Sequence, residues 1–199
     1  PTVKDAYEKA KYKSNIIFGI YAQMSDEDEK LDFSFLDPKQ IRLLVKSNLK
    51  ARGPSYARYI IYNNLYKDEL YYLQIDSHTR FIENWDEELI NMIKQLKKKG
   101  HKKPLLTAYV SSFDPDNDPS GRVLQPWKMN FDRFIPEGAV FFLPATIDDY
   151  AERSEPIPAR FYSAHFCFTL GQFVKEVPHD PEYYFHGEEI SIAARAFTW

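Results

Sequence analysis

A single cysteine, Cys167, occurs in 199 residues. No intrachain disulfide is possible, which suits a reducing compartment. No apolar run approaches the roughly 20 residues that cross a bilayer, and no signal peptide opens the sequence. These absences point to a cytoplasmic protein with no membrane segment in this chain. Neither sign of charge dominates: 26 Lys and Arg stand against 29 Asp and Glu, a net charge of −3. Nonspecific nucleic-acid binding needs a basic face, so no nucleic-acid partner is expected. P-loop and GxGxxG fingerprints are missing, as are nucleophile-elbow and Cys–His signatures. The chain is therefore no obvious kinase or dehydrogenase, and covalent catalysis has little support. Internal repeats and low-complexity tracts are lacking as well.

What is present is a foldable chain. Hydrophobic residues make up 44%, enough for a globular core and against disorder. Aromatics reach 16%. Most belong in the core, and exposed rings often make platforms for sugars or bases. The linkers are too short for a second domain. Pro1 leads almost directly into a helical pattern, and the helix from Glu188 to Trp199 has no stop signal. Residues 1–199 thus read as one domain truncated at both ends.

Strand and helix patterns alternate. Helices are expected at Val3–Lys13, from Gly53-Pro54 through Leu65, and from a capping box at Asn84-Trp85-Asp86-Glu87 to Gly100. Strands are expected at Ile16–Gln23, Ile41–Ser47, Leu70–Ile75 and Leu105–Ser111, and later at Gln125–Arg133, Ala139–Pro144 and Ala159–Thr169. A βαβαβ rhythm with short connections argues for an α/β sheet.

The strand Tyr71–Ile75 delivers Asp76 and His78 where it runs out. Residues i and i+2 leaving a strand point the same way, so the carboxylate and the imidazole are placed to grip one ion. Hard oxygen with some nitrogen suits a divalent metal such as Mn²⁺. The carboxyl ends of strands are also where ligands sit in open α/β sheets. The plainer reading is a turn-capping Asp beside a surface His.

Arg52-Gly53-Pro54 opens a helix, with Arg58 in its first turns. Backbone N–H groups and guanidinium forks together make an anion site that fits a diphosphate. Two surface arginines beside an ordinary helix start is the competing reading. Glu188 and Glu189 follow Gly187 at another helix start, where carboxylates either stabilise the helix dipole or enter a sugar or acceptor pocket. His165, in the aromatic run Phe161–Phe168, reads as a packed histidine that also suits a pocket wall.

Three stretches together resemble a known family. ARGPSYAR (Ala51–Arg58), YYLQIDSHTRF (Tyr71–Phe81) with NWDEELI (Asn84–Ile90), and FHGEEISIAAR (Phe185–Arg195) look like the GlcNAc-transferase family. Its founding members attach α-linked GlcNAc to hydroxyproline or threonine of proteins. The Asp-Ser-His signature is also similar to the more distant polypeptide GalNAc-transferases. The resemblance implies a GT-A fold, a mixed and mostly parallel central sheet flanked by helices. It further implies UDP-GlcNAc as donor, a Mn²⁺ (or Mg²⁺) ion, and retaining transfer to a hydroxyl of a protein or glycan acceptor. Asp76 and His78 would hold the metal. Arg52, Gly53 and Arg58 match the helix start near the donor, Ser77 would sit by its ribose or phosphate, and Glu188 and Glu189 match an acidic pair near sugar and acceptor. Relatives carry a uracil-cradling strand before the first helix and a further ligand His after the late helix, so both are expected outside this sequence. A non-catalytic domain that binds a sugar nucleotide or a protein partner is the alternative.

Overall fold

The computed structural model describes residues 1–199. It contains α1 (Thr2–Lys9), β1 (Phe18–Met24), β2 (Ile41–Ser47), α2 (Pro54–Asn64), β3 (Tyr71–Ile75), α3 (Trp85–Lys98) and β4 (Leu105–Thr107). The second half adds β5 (Trp127–Phe134), β6 (Val140–Thr146), β7 (Phe166–Leu170), α4 (Phe173–Glu176) and α5 (Glu188–Thr198). No helix is long and apolar enough to cross a membrane.

These elements make a mixed α/β fold of small sheets. β1 and β2 pair in parallel, from Phe18 opposite Ile41 to Met24 opposite Ser47. A three-stranded sheet has the order β3-β7-β4, and β5 and β6 form a separate antiparallel ribbon. β3 and β4 run the same way with α3 as their crossover, as the alternation predicts. Between them lies β7, antiparallel to both. A mostly parallel central sheet is therefore not what forms. The reason lies in β7, whose Cys167, Phe168 and Thr169 are all buried. A strand covered on both faces belongs in the middle of a sheet, and its periodicity does not say between which neighbours.

Two strands are shorter than expected because side chains replace the ladder. Thr107 Oγ1 donates to the Phe166 carbonyl at 3.0 Å and accepts from the Ser163 N–H at 2.9 Å. β4 stops there, and residues Tyr162–Ala164 are buried as irregular chain rather than strand. The capping box is also absent. Asn84 has φ 58° and makes no side-chain cap. Asp86 instead accepts from the N–H groups of Lys11 and Tyr12 at 2.7 and 2.8 Å, tying α3 to the end of α1.

The core falls into three clusters. Ala6, Ala10, Phe81 and Trp85 pack α1 on α3; Ile93, Leu106 and Phe168 pack α3 on the central sheet. Tyr162, Ala164, Cys167, Phe173, Val177 and Ile192 pack α5 on its other side. Full burial of an Ile or Phe side chain is worth roughly 1.5–3 kcal/mol, so Ile192 and Phe173 anchor α5 firmly. Glu188 lies one turn before Ile192 on the same helical face, and the face that buries Ile192 turns Glu188 inward.

Candidate active site

Helical spacing builds the centre of the site. On α2 the residues Ser55, Arg58 and Tyr62 share a face, and both Ser55 and Tyr62 are buried. Arg58 is drawn inward with them. On β3 the residues Leu73 and Ile75 pack towards α1, so alternation turns Tyr72, Gln74 and then Asp76 towards α2. Tyr62 contacts the Tyr72 ring edge-on at 5.1 Å and donates its hydroxyl to Gln74 Oε1 at 3.2 Å.

Arg58 is the hub. Its Nη1 donates to both Glu188 oxygens at 2.8 and 2.9 Å, and its Nη2 donates to Asp76 Oδ1 at 3.0 Å. Burial works against its charge, but Glu188 and then Asp76 outweigh it and raise its pKa further. For Glu188 burial is also the largest single influence, pushing its carboxyl up. His179 and Arg58 overcome this and hold it below the usual carboxylate value. Arg58 is thus turned inward, away from the anion site at the start of α2 where sequence spacing places a second fork.

Glu189 differs from its neighbour. Its Oε1 accepts the Ala164 N–H at 2.8 Å, and no hydrogen bond or ion pair reaches its second oxygen. Burial pushes its carboxyl up, and the charges of Glu188 and Asp76 add to this. Two adjacent carboxyls with pKa values driven apart can divide labour, one staying ionised and the other exchanging a proton.

Asp76 lies just past the strand, 35% exposed, with one oxygen on Arg58. His78 is exposed and makes no hydrogen bond within the chain. Ser77 and His78 form a turn, so strand alternation ends before it reaches His78. The Ser77 carbonyl accepts from Thr2 Oγ1 at 2.5 Å, and Thr79 Oγ1 donates to the Asp76 carbonyl at 2.9 Å. The turn, not the pleat, sets the relation between Asp76 and His78. Its far side is clamped by Asp118, which pairs with both Arg80 and Arg122.

Three or more His, Cys, Asp or Glu side chains placed to hold a metal occur nowhere in the fold. Asp76, with one oxygen on Arg58, and the exposed His78 are an oxygen and a nitrogen donor of the kind that a hard divalent ion accepts. His165 is no third ligand. Its Nε2 accepts the Val110 N–H at 3.0 Å and its Nδ1 lies 2.7 Å from Ser163 Oγ. Burial is the main cause of its lowered pKa. The proton on Nδ1 is given to the buried Ser163, so this pair does not activate a nucleophile. Burial pushes the Cys167 thiol up to about 12, which leaves it inert as well.

At the start of α2, Arg52 is half exposed, stacks over the Tyr56 ring at 4.5 Å and pairs with Glu182 at 3.1 Å. Gly53 has φ 87°, and a Cβ there would lie 2.2 Å from the Tyr184 carbonyl oxygen. Only glycine permits that approach. Ser55 Oγ donates to the Asp180 carbonyl at 2.9 Å. The segment 180–184 therefore covers the helix start. The Arg52–Glu182 pair is a solvent-exposed contact of the kind worth about 0–1 kcal/mol, so a competing anion displaces it at little cost.

Arg58 therefore joins three stretches that lie far apart in the sequence: the start of α2, the end of β3 and the start of α5. A family model described as Glycosyltransferase (GlcNAc) matches residues 10–199, which include all three. The chain belongs to the GlcNAc glycosyltransferase family. No match is found among curated proteins or among solved structures. Membership in a glycosyltransferase family implies a sugar donor and an acceptor.

Sequence reasoning left two members of this centre without a role. His179 is buried against Glu188, and Gln74 hydrogen-bonds to His179, Tyr162 and Ala164. A glutamine in the middle of an otherwise apolar strand is a signal that a buried partner is required. Nothing in the Pro178-His179-Asp180-Pro181 turn signals which partner the histidine meets.

Proposed function

We propose that this glycosyltransferase-family domain is a metal-dependent enzyme that transfers GlcNAc from UDP-GlcNAc to a hydroxyl of a protein or glycan, with retention of configuration and on a GT-A type fold. The observation that carries this reading is the Arg58 bridge between Asp76 and Glu188, beside a Glu189 carboxyl with a free oxygen. Asp76 and His78 are the residues that would hold Mn²⁺ or Mg²⁺, and the ion when bound would supply charge stabilisation for the diphosphate. Arg52, released from Glu182, neutralises a phosphate oxygen at the start of α2, with Gly53 allowing close backbone approach. Ser77 lies beside the donor on the same turn as the metal-binding pair.

In the transfer step the acceptor oxygen bonds to the anomeric carbon as the bond from that carbon to the phosphate oxygen breaks. The acceptor proton passes to the departing phosphate oxygen, on the same face of the sugar. In the bound complex, before the transfer step, Glu189 accepts the hydrogen bond of the acceptor hydroxyl and aims it; that one proton turns to the departing phosphate oxygen only as the bonds exchange. Glu188 is not a nucleophile, because both its oxygens are held by Arg58. Its part is to fix Arg58 and Asp76.

A non-catalytic domain that binds a sugar nucleotide or a partner is the second reading, and one observation favours it: the segment 180–184 lies over the α2 start. Calorimetric titration of UDP-GlcNAc, with Mn²⁺ and then with the metal chelated, tests the donor site. Binding that requires the metal and is lost in Asp76→Ala supports the donor site, and release of UDP with GlcNAc transferred to an added acceptor separates the enzyme from a domain that only binds. Absence of binding in both conditions would overturn the enzyme reading.

A further inference from the structure

His179 is 1% exposed, and both of its ring nitrogens meet polar atoms. Nε2 lies 2.9 Å from Gln74 Oε1, and Nδ1 lies 2.9 Å from Glu188 Oε1, within ion-pair reach although poorly aligned for a hydrogen bond. The far end of Gln74 settles the polarity of the first contact. Its Nε2 sits 2.6 Å from the Ala164 carbonyl, a group that only accepts, and 3.0 Å from the Tyr162 hydroxyl. The atom facing His179 is therefore the amide oxygen, so His179 Nε2 must donate.

A neutral imidazole has one N–H. With that proton on Nε2, Nδ1 would turn a lone pair towards a carboxylate that is ionised under two hydrogen bonds from Arg58. Two acceptors 2.9 Å apart in a dry site repel. We propose that His179 is protonated on both nitrogens in the folded protein and acts as a positioning residue, holding Glu188 and, through Arg58, Asp76 in register. Charges then alternate along one line: His179, Glu188, Arg58, Asp76.

Every neighbour of the ring can be assigned a sign. Burial is the largest influence and pushes the imidazole below its ordinary value, and Arg58 on α2 and Arg195 on α5 act the same way. Glu188 on α5 acts against them. Arg195 is turned aside, donating to the Pro178 carbonyl at 2.7 Å. Tyr62, edge-on to the ring at 5.1 Å, and Gln74 are uncharged. The balance of charge and burial favours a neutral ring. The Gln74 hydrogen bond and the close Nδ1–Glu188 approach decide otherwise, because a neutral ring would leave a lone pair 2.9 Å from an ionised carboxylate.

The test is nitrogen-15 NMR of the full chain labelled at histidine. The expected result at pH 7 is a His179 ring with both nitrogens in the imidazolium range, reverting to neutral in Glu188→Gln. A neutral ring with a bare Nδ1 in the unmutated protein would overturn the proposal, whatever the protein binds. The functional consequence rests on the donor-site reading and has its own measurement, Mn²⁺-dependent UDP binding against pH. His179→Leu should lose at least tenfold in affinity. In the parent, affinity should fall at alkaline pH as His179 loses its second proton; His179→Asn, which keeps a donor near the Nδ1 position and has no proton to lose, should recover most of the Leu loss and show no such fall. If Asn and Leu behave alike, His179 is packing and not positioning. A protein that binds no UDP at all counts against the donor-site reading, and the NMR result still decides the protonation of His179.

Discussion

Arg58 and Glu188 face each other as a two-pronged pair, with Nη1 at 2.8 and 2.9 Å from the two carboxylate oxygens. Both side chains are almost wholly buried, 12% and 4% exposed. Removing the cation leaves the buried Glu188 and the part-exposed Asp76 as neighbouring charges without their partner. Breaking a buried pair in this way costs about 3–5 kcal/mol, so Arg58→Met should lose that much in urea unfolding. A loss below about 1 kcal/mol, within the range of surface pairs, would mean that the carboxylates separate and the hub is dispensable.

His78 separates metal binding from stability. It is exposed and makes no hydrogen bond within the chain. His78→Ala should therefore stay within about 0.5 kcal/mol of the parent stability, as surface substitutions do. Its Mn²⁺-dependent UDP affinity should fall at least tenfold. Unchanged affinity would remove His78 from the metal site.

Glu189 should show a trade between stability and activity. Burial, with the charge of Glu188, raises its pKa above the ordinary 4.5. The folded state therefore favours the protonated carboxyl more than the unfolded chain does. Its contribution to stability is complete below 4.5 and is lost as pH rises through the folded value. Gln stays neutral and still accepts the Ala164 N–H, so Glu189→Gln should be more stable than the parent at pH 7 and equal to it in acid. Transfer should drop by about 10²-fold or more. Full transfer by this variant would place the acceptor elsewhere.

Asp118 reports on the clamp behind the Ser77–His78 turn. Arg122 first and then Arg80 hold its pKa at about 2, against an ordinary 3.8. The stabilisation is present above 3.8 and is lost as pH falls through about 2. Asp118→Asn should lower the melting temperature at pH 7, and the gap should close near pH 2. A gap that persists in acid would show that the side chain acts by packing.

Much of the site was legible in local sequence. The stretch 71–78 marks a strand that ends in an acid and an imidazole, and Pro54 marks the start of α2. Two local rules gave misleading detail. Asn84 resembles a cap, yet its position opposite Lys9, whose carbonyl accepts the Asn84 N–H at 2.8 Å, puts the chain in a left-handed conformation that carries no cap. The i, i+2 argument for Asp76 and His78 assumes extended chain, and a turn held by Thr2 replaces it. Long-range contacts won in both places.

By itself the sequence determined where most of the longer helices and strands form, since periodicity and turn chemistry are local, and it carried the three motifs that place the chain in its family. It also determined that Ser55, Arg58 and Tyr62 share one helical face. Tertiary structure alone decided that β7 enters between β3 and β4, that Arg58 is spent on two carboxylates rather than a phosphate, and that His179 lies behind Glu188. These depend on which surfaces meet once apolar faces are buried. The Arg58–Glu188 and Gln74–His179 pairings join residues more than a hundred positions apart, where no local spacing rule applies.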